Sequence, residues 1–487
     1  MKDDTKNQDA FMPLAVDLDG TIIRTDLLLE TANIFILKNP IHIFKVLIWL
    51  FKGRTILKEK LAVFSEINAS LLPYNKSIVS WLKEQHFLGR EIILITASTD
   101  LLALSVGGYL GIFKKIFGSS QKINLKGIKK KELLIEKYGV GGFDYVGNER
   151  ADIPIWEVCN TAYVVNPSPR FIFELKKIKP DIEVLKDNRP FIGKSITKVL
   201  RPHQWIKNIL IFIPLFAAQE YGNPINLFQT MIAFIVFCLT ASSAYVLNDL
   251  IDLKNDRYHC SKKNRPFASG DLSILMGWVL WPILLIFGLA ISVNFLPKSF
   301  IYIQLCYLFL TLLYSFYIKK LVIIDVLALA ILYTLRIIAG IAATGVPLSF
   351  WLLTFSIFIF LSLAFIKRFS EIKSAHDIGS DKAIKGRGYL TDDLEVVSSM
   401  GVSAGFISVL VLALYIQDVH TASLYKSPEV IWLVCPMLLM WVSRIWLISH
   451  RGEMHDDPVV FALKDRFSQL FAATIVSVVL MAKYCKF

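Results

Sequence analysis

The stretch LFQTMIAFIVFCLTASSAYVLNDLIDLKNDRYHCSKKNRPFASG, residues 227–270, decides how the chain is read. Its first half is apolar for long enough to cross a hydrocarbon core. Its second half carries Asn248, Asp249, Asp252 and Asp256, followed by Arg257, Lys262, Lys263 and Arg265. Charge at a bilayer-spanning helix is costly and by default marks a functional site. On a helix, Asn248, Asp252 and Asp256 fall at i, i+4 and i+8 and stack along one stripe, with Asp249 beside it. Stacked carboxylates repel one another unless a cation compensates. Clustered oxygen donors suit Mg²⁺, which takes the rest of its shell from water and substrate phosphates. The four residues are therefore candidate metal ligands for a diphosphate substrate. The bland alternative, a solvated loop with chance acids, fits poorly with the basic loops found elsewhere in the chain.

The chain has 487 residues, 54% of them hydrophobic, and a mean hydropathy of +0.52, too apolar for an ordinary soluble protein. Residues 1–190 mix apolar and charged groups as a soluble α/β domain does. From Ile209 onward, apolar runs of roughly 18–25 residues recur, the span of a bilayer core. Nine segments follow, at 208–220, 226–247, 272–294, 299–318, 321–344, 350–366, 396–416, 429–448 and 467–483, and Pro214 interrupts the first. The net charge of +13 is better explained by basic cytoplasmic loops than by a nucleic-acid partner. With the N-terminal region in the cytosol, loops after the even segments hold about sixteen Lys and Arg, against about two on the other side. The expectation is a multi-pass protein of a bacterial inner membrane, with the acidic motif and the N-terminal domain cytoplasmic. No cleavable signal peptide is expected, because MKDDTKNQDAF is polar. The six cysteines form no CxxC pair, so neither a zinc site nor a disulfide framework is expected. Ile34–Arg54 is apolar but interrupted by Lys38, Pro40, His42 and Lys45, which favours an amphipathic cap helix over a further span. Residues 176–200 read as a charged, Pro-containing linker. The expected domains are 1–180, a linker at 181–200, and a membrane domain at 201–487.

Three short apolar runs of the N-terminal region end in polar residues: LAVDLDGTI (14–22), EIILITAS (91–98) and FDYVGNERADIPIW (143–156). Helical stretches separate them, so a parallel doubly wound sheet is expected, with its ligand at the carboxyl ends of the strands. The residues suit phosphoryl transfer. Asp17 is a candidate carboxylate nucleophile, Asp19 a general acid and base, and Thr96 a hydrogen-bond donor to phosphoryl oxygens. A lysine from NLKGIKKKELL would offset developing charge, and Mg²⁺ would bridge nucleophile and substrate.

This region, over about residues 12–170, resembles the haloacid dehalogenase phosphatase superfamily. The DxDGT pattern falls on Asp17, Asp19, Gly20 and Thr21, and the second-strand threonine on Thr96. The basic motif best fits Lys130, with Lys126 and Lys129 open. The resemblance implies catalysis by Asp17, Asp19, Thr96 and Lys130, and Mg²⁺ held by Asp17, Asp19 and Asp152. The last acidic motif departs from the pattern: GNERAD has Asn148 where an acid is common, which removes a charge from the metal site. The insert between Asp19 and Thr96 would be a substrate-selecting helical cap.

In the apolar half, other polar groups echo phosphate chemistry. RPHQWIKN (201–208) brings Arg201, Gln204, Trp205 and Lys207; YSFYIKK (314–320) brings Tyr314 and Lys319; the next segment carries Asp325 and Arg336; FIKRFSEIK (365–373) brings Lys367, Arg368 and Glu371. An arginine within an apolar segment is a functional candidate by default. This half, over about residues 195–487, resembles the UbiA superfamily of intramembrane prenyltransferases, whose NDxxDxxxD motif matches Asn248, Asp249, Asp252 and Asp256. It is most similar to the polyprenyl-phosphate phosphoribosyltransferase branch, through RPHQWIKN, NRPFASG, YSFYIKK, LRIIAG, KRFSE and ALKDRFSQL. The resemblance implies an all-α domain of about nine transmembrane helices, transfer of phosphoribose from 5-phosphoribose 1-diphosphate (PRPP) to a polyprenyl phosphate, and Mg²⁺ on the acidic stripe. It implies Lys207, Arg257, Lys319, Arg336, Lys367, Arg368 and Glu371 as substrate-binding residues. The fused phosphatase would remove the ribose 5-phosphate.

The rival is an ordinary UbiA reaction, prenyl transfer from a prenyl diphosphate to an aromatic acceptor, with a regulatory or degenerate N-terminal domain. Asp377 and Asp381 would be its second acidic motif. A transporter, the remaining class, would place charge near the midplane and show an inverted repeat.

Overall fold

In the computed structural model, residues 12–120, 123–259, 261–347, 349–377, 387–418, 424–454 and 457–486 are described. They form two compact units, Met1–Val199 with Val246–Leu280, and Leu200–Tyr245 with Trp281–Phe487. The acidic motif thus groups with the N-terminal residues, not with the rest of the apolar half.

The first unit is built on six parallel strands in the order β3-β2-β1-β4-β5-β6. These are β1 (Leu14–Val16), β2 (Ile92–Thr99), β3 (Lys115–Ser119), β4 (Asp144–Gly147), β5 (Ala162–Val165) and β6 (Glu183–Leu185). Leu14 of β1 pairs with Ile92 on one side and Asp144 on the other, which sets the three site-bearing strands side by side. The strands are apolar on both faces: Ile92 and Leu94 join one core, Ile93 and Ile95 the other. The insert between β1 and β2 is helical, as expected of a cap: α1 (Leu27–Lys38), α2 (His42–Lys52), α3 (Arg54–Phe64) and α4 (Lys76–Phe87). Asp26 starts α1 by accepting from the Leu28 amide at 2.7 Å, and Asn75 starts α4 by accepting from the Ile78 amide. The amphipathic stretch is α2, none of whose residues is buried.

Residues 181–200 are not a plain linker. Glu183–Leu185 pairs in parallel with β5, and Ile192–Leu200 is an amphipathic helix. The run reads as polar because β6 is an edge strand with exposed residues.

The second unit is helical. Among the described residues, eight helices are long and apolar enough to cross a membrane: Pro224–Ile251, Ile274–Phe295, Lys298–Phe316, Ile324–Thr344, Phe350–Asp377, Thr391–Gln417, Pro428–His450 and Arg466–Tyr484. The expected segment at 208–220 instead divides into a 3₁₀ run, Pro202–Phe212, and a five-residue α-helix, Ile213–Ala217. Pro202 and Pro214 each remove an amide donor at a helix start, so a continuous span does not form. This broken segment packs closely on Ile324–Thr344: a Cβ at Gly340 would stand 2.1 Å from the Ile211 carbonyl. Ile324–Thr344 is the central helix, with 72% of its apolar window buried, against 17% for Arg466–Tyr484. It presents Asp325, Tyr333 and Arg336 to the interior.

Candidate functional sites

The carboxyl ends of β1, β2 and β4 assemble the first site. The Asp17 amide still pairs with Val146, so its carboxylate leaves the sheet at the strand end. Lys130, from the helix Ile128–Tyr138, lies 2.5 Å from Asp17 Oδ1, is 3% exposed and donates to the Tyr145 hydroxyl at 3.3 Å. Of the three lysines left open by the sequence, Lys130 is the one at the aspartates; Lys126 pairs with Glu149 and Lys129 with Glu132. Asp19 accepts from the Leu27 amide at 2.9 Å, from Ser98 Oγ at 2.7 Å and from Thr96 Oγ1 at 3.4 Å. A register shift in β2 between Ile95 and Thr99 turns these hydroxyls into the site.

Asp152 stands further back. It accepts from the Tyr145 hydroxyl at 2.8 Å and from the amides of Asn148 and Glu149, both at 3.1 Å. Its Oδ1 is 3.9 Å from Lys130 Nζ. Asn148, nearer the DxDG turn, accepts from Thr21 Oγ1 at 3.2 Å. Gly20 has φ +76°, and a Cβ there would meet Asn148 Nδ2 at 2.2 Å, so both conformation and space require glycine.

Burial pushes the Asp17 carboxyl up to about 7 against the pull of Lys130, and pushes Asp19 up to about 6 with Asp26 adding to the rise. Burial alone would lower Lys130, but Asp17 and Asp152 outweigh it and keep the ammonium above its usual range. A buried carboxylate pair with so little compensation fits a divalent cation, which would favour both charged forms. Two further residues of this site, Tyr145 and Lys58, carry no sequence signal of their own, whereas Ser98 ends the second apolar run and joins the site from there. Ser98 is the shorter hydroxyl partner of Asp19. Tyr145 links Lys130 to Asp152. Lys58 reaches in from α3, donates to the Ala97 carbonyl at 2.6 Å, and is lowered by burial.

The acidic motif keeps the expected helical repeat across a break. The helix Pro224–Ile251 ends before Asp252, and a second, short helix, Leu253–Tyr258 (labelled α12), begins after it. The Asp252 amide bonds Asn248 and the Asp256 amide bonds Asp252, at 2.9 and 2.8 Å. Asp249 and Asp256 are buried and share one guanidinium: Arg265 Nη1 lies 3.1 and 2.7 Å from them. Burial raises Asp256, and Arg265 opposes the rise. Among the described residues no group of three His, Cys, Asp or Glu is arranged to hold a metal ion. Two features nonetheless fit a cation: the motif carboxylates already gather a positive group between them, and the buried Asn248 Oδ1 has no hydrogen-bond partner among the described residues. Arg257 was expected to bind substrate. Instead it forms a bidentate ion pair with Glu30 of α1, at 3.0 and 2.7 Å, and donates to the Ala268 carbonyl.

The second unit holds two polar clusters. In one, Asp457 accepts from Lys207 Nζ at 2.7 Å, Lys367 Nζ at 3.4 Å and the Tyr333 hydroxyl at 3.2 Å. Arg336 is buried and donates to Asn208 Oδ1 at 2.9 Å, the Tyr307 hydroxyl at 3.0 Å and the Leu332 carbonyl. Burial pulls the Lys207 ammonium down to about 8, although Asp457 opposes it. Burial alone would raise Asp457, but Lys367 and Lys207 hold it well below the usual carboxylate range. Asp457, from the segment that precedes the short helix Pro458–Lys464, carried no signal in the spacing. In the other cluster, Arg368 is fully buried, pairs with Asp325 at 2.5 Å, and bonds Glu371. Tyr389 donates to Asp325 at 2.7 Å, and Arg387 lies 3.7 Å from Glu371. Arg368 and Glu371, expected on substrate, are engaged with each other. Lys319 is half-buried, and its carbonyl accepts from Arg387 at 3.4 Å. Asp377 is exposed, and Asp381 lies outside the described residues.

Buried arginine and carboxylate groups within helices long and apolar enough to cross a membrane mark a membrane-embedded functional site. Residues 209–475 match the model of the UbiA prenyltransferase family, and the chain belongs to that family. The protein y4nM of Sinorhizobium fredii is 36% identical over 97% of this chain and 92% of its own length, so it shares both halves. A decaprenyl-phosphate phosphoribosyltransferase of Mycolicibacterium smegmatis is 29% identical over 58% of this chain and 90% of its own length. A solved structure of a substrate-bound phosphoserine phosphatase, 14% identical, covers 35% of this chain and 92% of that chain, with a TM-score of 0.26. The protein is thus an integral membrane transferase of the UbiA family with an N-terminal domain built on a six-stranded parallel sheet.

Proposed function

We propose that the membrane half transfers phosphoribose from PRPP to a polyprenyl phosphate, and that the N-terminal domain removes the ribose 5-phosphate. The observation that carries the reading is the polar cluster around Asp457. Lys207, Lys367 and nearby Arg336 suit phosphate oxygens and offer nothing specific to an aromatic acceptor. The name of the Mycolicibacterium relative, a decaprenyl-phosphate phosphoribosyltransferase, supports the same transferred group and the same class of acceptor. A phosphate oxygen of the lipid attacks the anomeric carbon, the C1–O bond breaks, and diphosphate leaves. The acceptor is already ionised, so positioning and charge neutralisation do most of the work. Asn248, Asp249, Asp252 and Asp256 would hold Mg²⁺, which when bound offsets diphosphate charge.

In the N-terminal domain Asp17 attacks the 5-phosphorus, and Asp19 gives its proton to the leaving ribose oxygen. Asp19 then takes a proton from the water that cleaves the aspartyl phosphate. Lys130 holds Asp17, while Thr96 and Ser98 orient Asp19. Asp17, Asp19 and Asn148 would hold the metal, with Asp152 fixing the Asn148 loop rather than reaching the ion. This proposal places both sites in the cytoplasm of a bacterial inner membrane. A tethered hydrolase would meet the lipid product at high effective concentration.

The test uses membranes with polyprenyl phosphate, Mg²⁺ and labelled PRPP. Wild type should give a dephosphorylated ribosyl lipid, and Asp17→Asn should accumulate its 5-phosphate. No labelled lipid from either protein would sink the phosphoribosyl reading. The same end product from both would remove the N-terminal domain from the pathway.

A further inference from the structure

The contacts around Arg257 carry one step further. Three short bonds tie α1 to the segment bearing the acidic motif. Glu30, 2% exposed, grips Arg257, the residue after Asp256. Asn33, one turn along α1, donates to the Leu250 carbonyl at 3.2 Å and accepts from Trp278 Nε1 at 3.0 Å. Leu250 follows Asp249 directly. Beyond α1, Arg24 pairs with Asp271 at 3.2 Å, and Tyr258 meets Asn68 at 3.4 Å. The N-terminus of the same helix donates to Asp19. One twelve-residue helix therefore touches the hydrolase aspartate at its start and both ends of the acidic motif along its side.

The break at Asp252 gives these contacts their consequence. Asp256 sits on the short helix α12, separate from the helix bearing Asn248 and Asp249. Across the break, α12 is held by two backbone bonds, Asp252 to Asn248 and Asp256 to Asp252, and by Arg265 between Asp249 and Asp256. The Glu30–Arg257 fork anchors it from outside the motif, and a bidentate pair sets orientation as well as distance.

We infer that Glu30 is a positioning residue of the transferase: through Arg257 it fixes α12, and with it Asp256, at the separation from Asp249 that the metal and diphosphate require. The N-terminal domain is then a working part of the transfer site, not only a following enzyme. This rests on the reading above that the acidic motif binds metal and diphosphate.

The test compares full-length wild type, Glu30→Gln and Glu30→Asp in detergent, with labelled PRPP, polyprenyl phosphate and a Mg²⁺ titration. Glu30→Gln should raise the Mg²⁺ half-saturation and the donor KM by about 10- to 100-fold, the usual effect of losing an outer support of a metal site. kcat at saturation should stay near wild type, and Glu30→Asp should recover part of the loss. An unchanged or lower donor KM in Glu30→Gln would overturn the inference; a lower one would mean that Arg257, once released, binds the donor itself. Hydrogen exchange supplies a second measurement that needs no turnover. Amides of 253–258 should exchange faster in Glu30→Gln while β1 and β2 keep their protection. Equal exchange at 253–258 overturns the inference. If Glu30→Gln also exposes the sheet, Glu30→Asp decides in its place. If wild type transfers nothing, the functional reading fails, and the exchange result still decides the role of Glu30.

Discussion

Replacing Asp457 by asparagine tests the cation cluster most sharply, because it gives opposite outcomes for stability and for ligand response. Asp457 is the resident anion between Lys207 and Lys367. The Lys207 pair is buried, with side chains 9% and 10% exposed, so removing its carboxylate leaves an uncompensated ammonium. Breaking such a pair costs about 3–5 kcal/mol. Lys367 is 35% exposed at 3.4 Å, so that contact adds under about 1 kcal/mol. The ligand-free protein in detergent should lose roughly 5–10 °C of thermal stability on the usual scaling. Diphosphate or PRPP supplies the missing negative charge, so the stabilisation it gives should be larger in the variant than in wild type. The assay is a thermal-unfolding series with and without diphosphate. A variant as stable as wild type would refute the buried pair. A variant that loses the diphosphate response would refute the lysines as phosphate ligands and make Asp457 itself a binding group.

Gly20→Ala should abolish hydrolysis of a simple phosphate ester while the sheet stays protected from exchange, because φ +76° and the 2.2 Å approach to Asn148 leave no room for a methyl group. Lys130→Ala should do the same, and Lys126→Ala should not, which a parallel phosphatase assay would register. The metal-free protein should lose N-terminal stability as pH rises from about 4 to 7: the folded values of Asp19 and Asp17, about 6 and 7, exceed the ordinary aspartate value of 3.8, so the folded state holds protons that the unfolded state has released. Asp17→Asn should flatten the upper part of that decline, and an unchanged slope in an unfolding series with chelator would count against it. Arg368→Gln should cost about 3–5 kcal/mol by stranding buried Asp325, and a stable variant with raised donor KM would return Arg368 to the substrate.

Much of the hydrolase site was legible before any coordinates, for a physical reason. Asp17, Thr96 and Asn148 follow apolar strands, and adjacent parallel strands must bring their carboxyl ends together. Lys58 was not, since it arrives through the helical insert, from α3. In the membrane half, Lys207 and Arg336 stood out as charges among apolar residues. The counter-ion of Lys207, Asp457, lies 250 residues further along the chain, and sequence spacing carries no such pairing. Arg257 and Arg368 show the same blindness: their internal carboxylate partners, Glu30 and Asp325, are invisible in the spacing. Pro214 did announce that the first apolar segment would break.

The edge strand Glu183–Leu185 bears on how the two activities can be taken apart. A scissor cut chosen from composition would fall near residue 180, where charge rises and hydropathy drops. That cut would leave β5 as the new margin of the sheet, with its ladder of amides and carbonyls bare to the next molecule. It would also strip away Asp187, which Arg24 grips beneath the cap. A gene fragment ending at 180 should yield aggregates, whereas one carried past Asp187 keeps its hem.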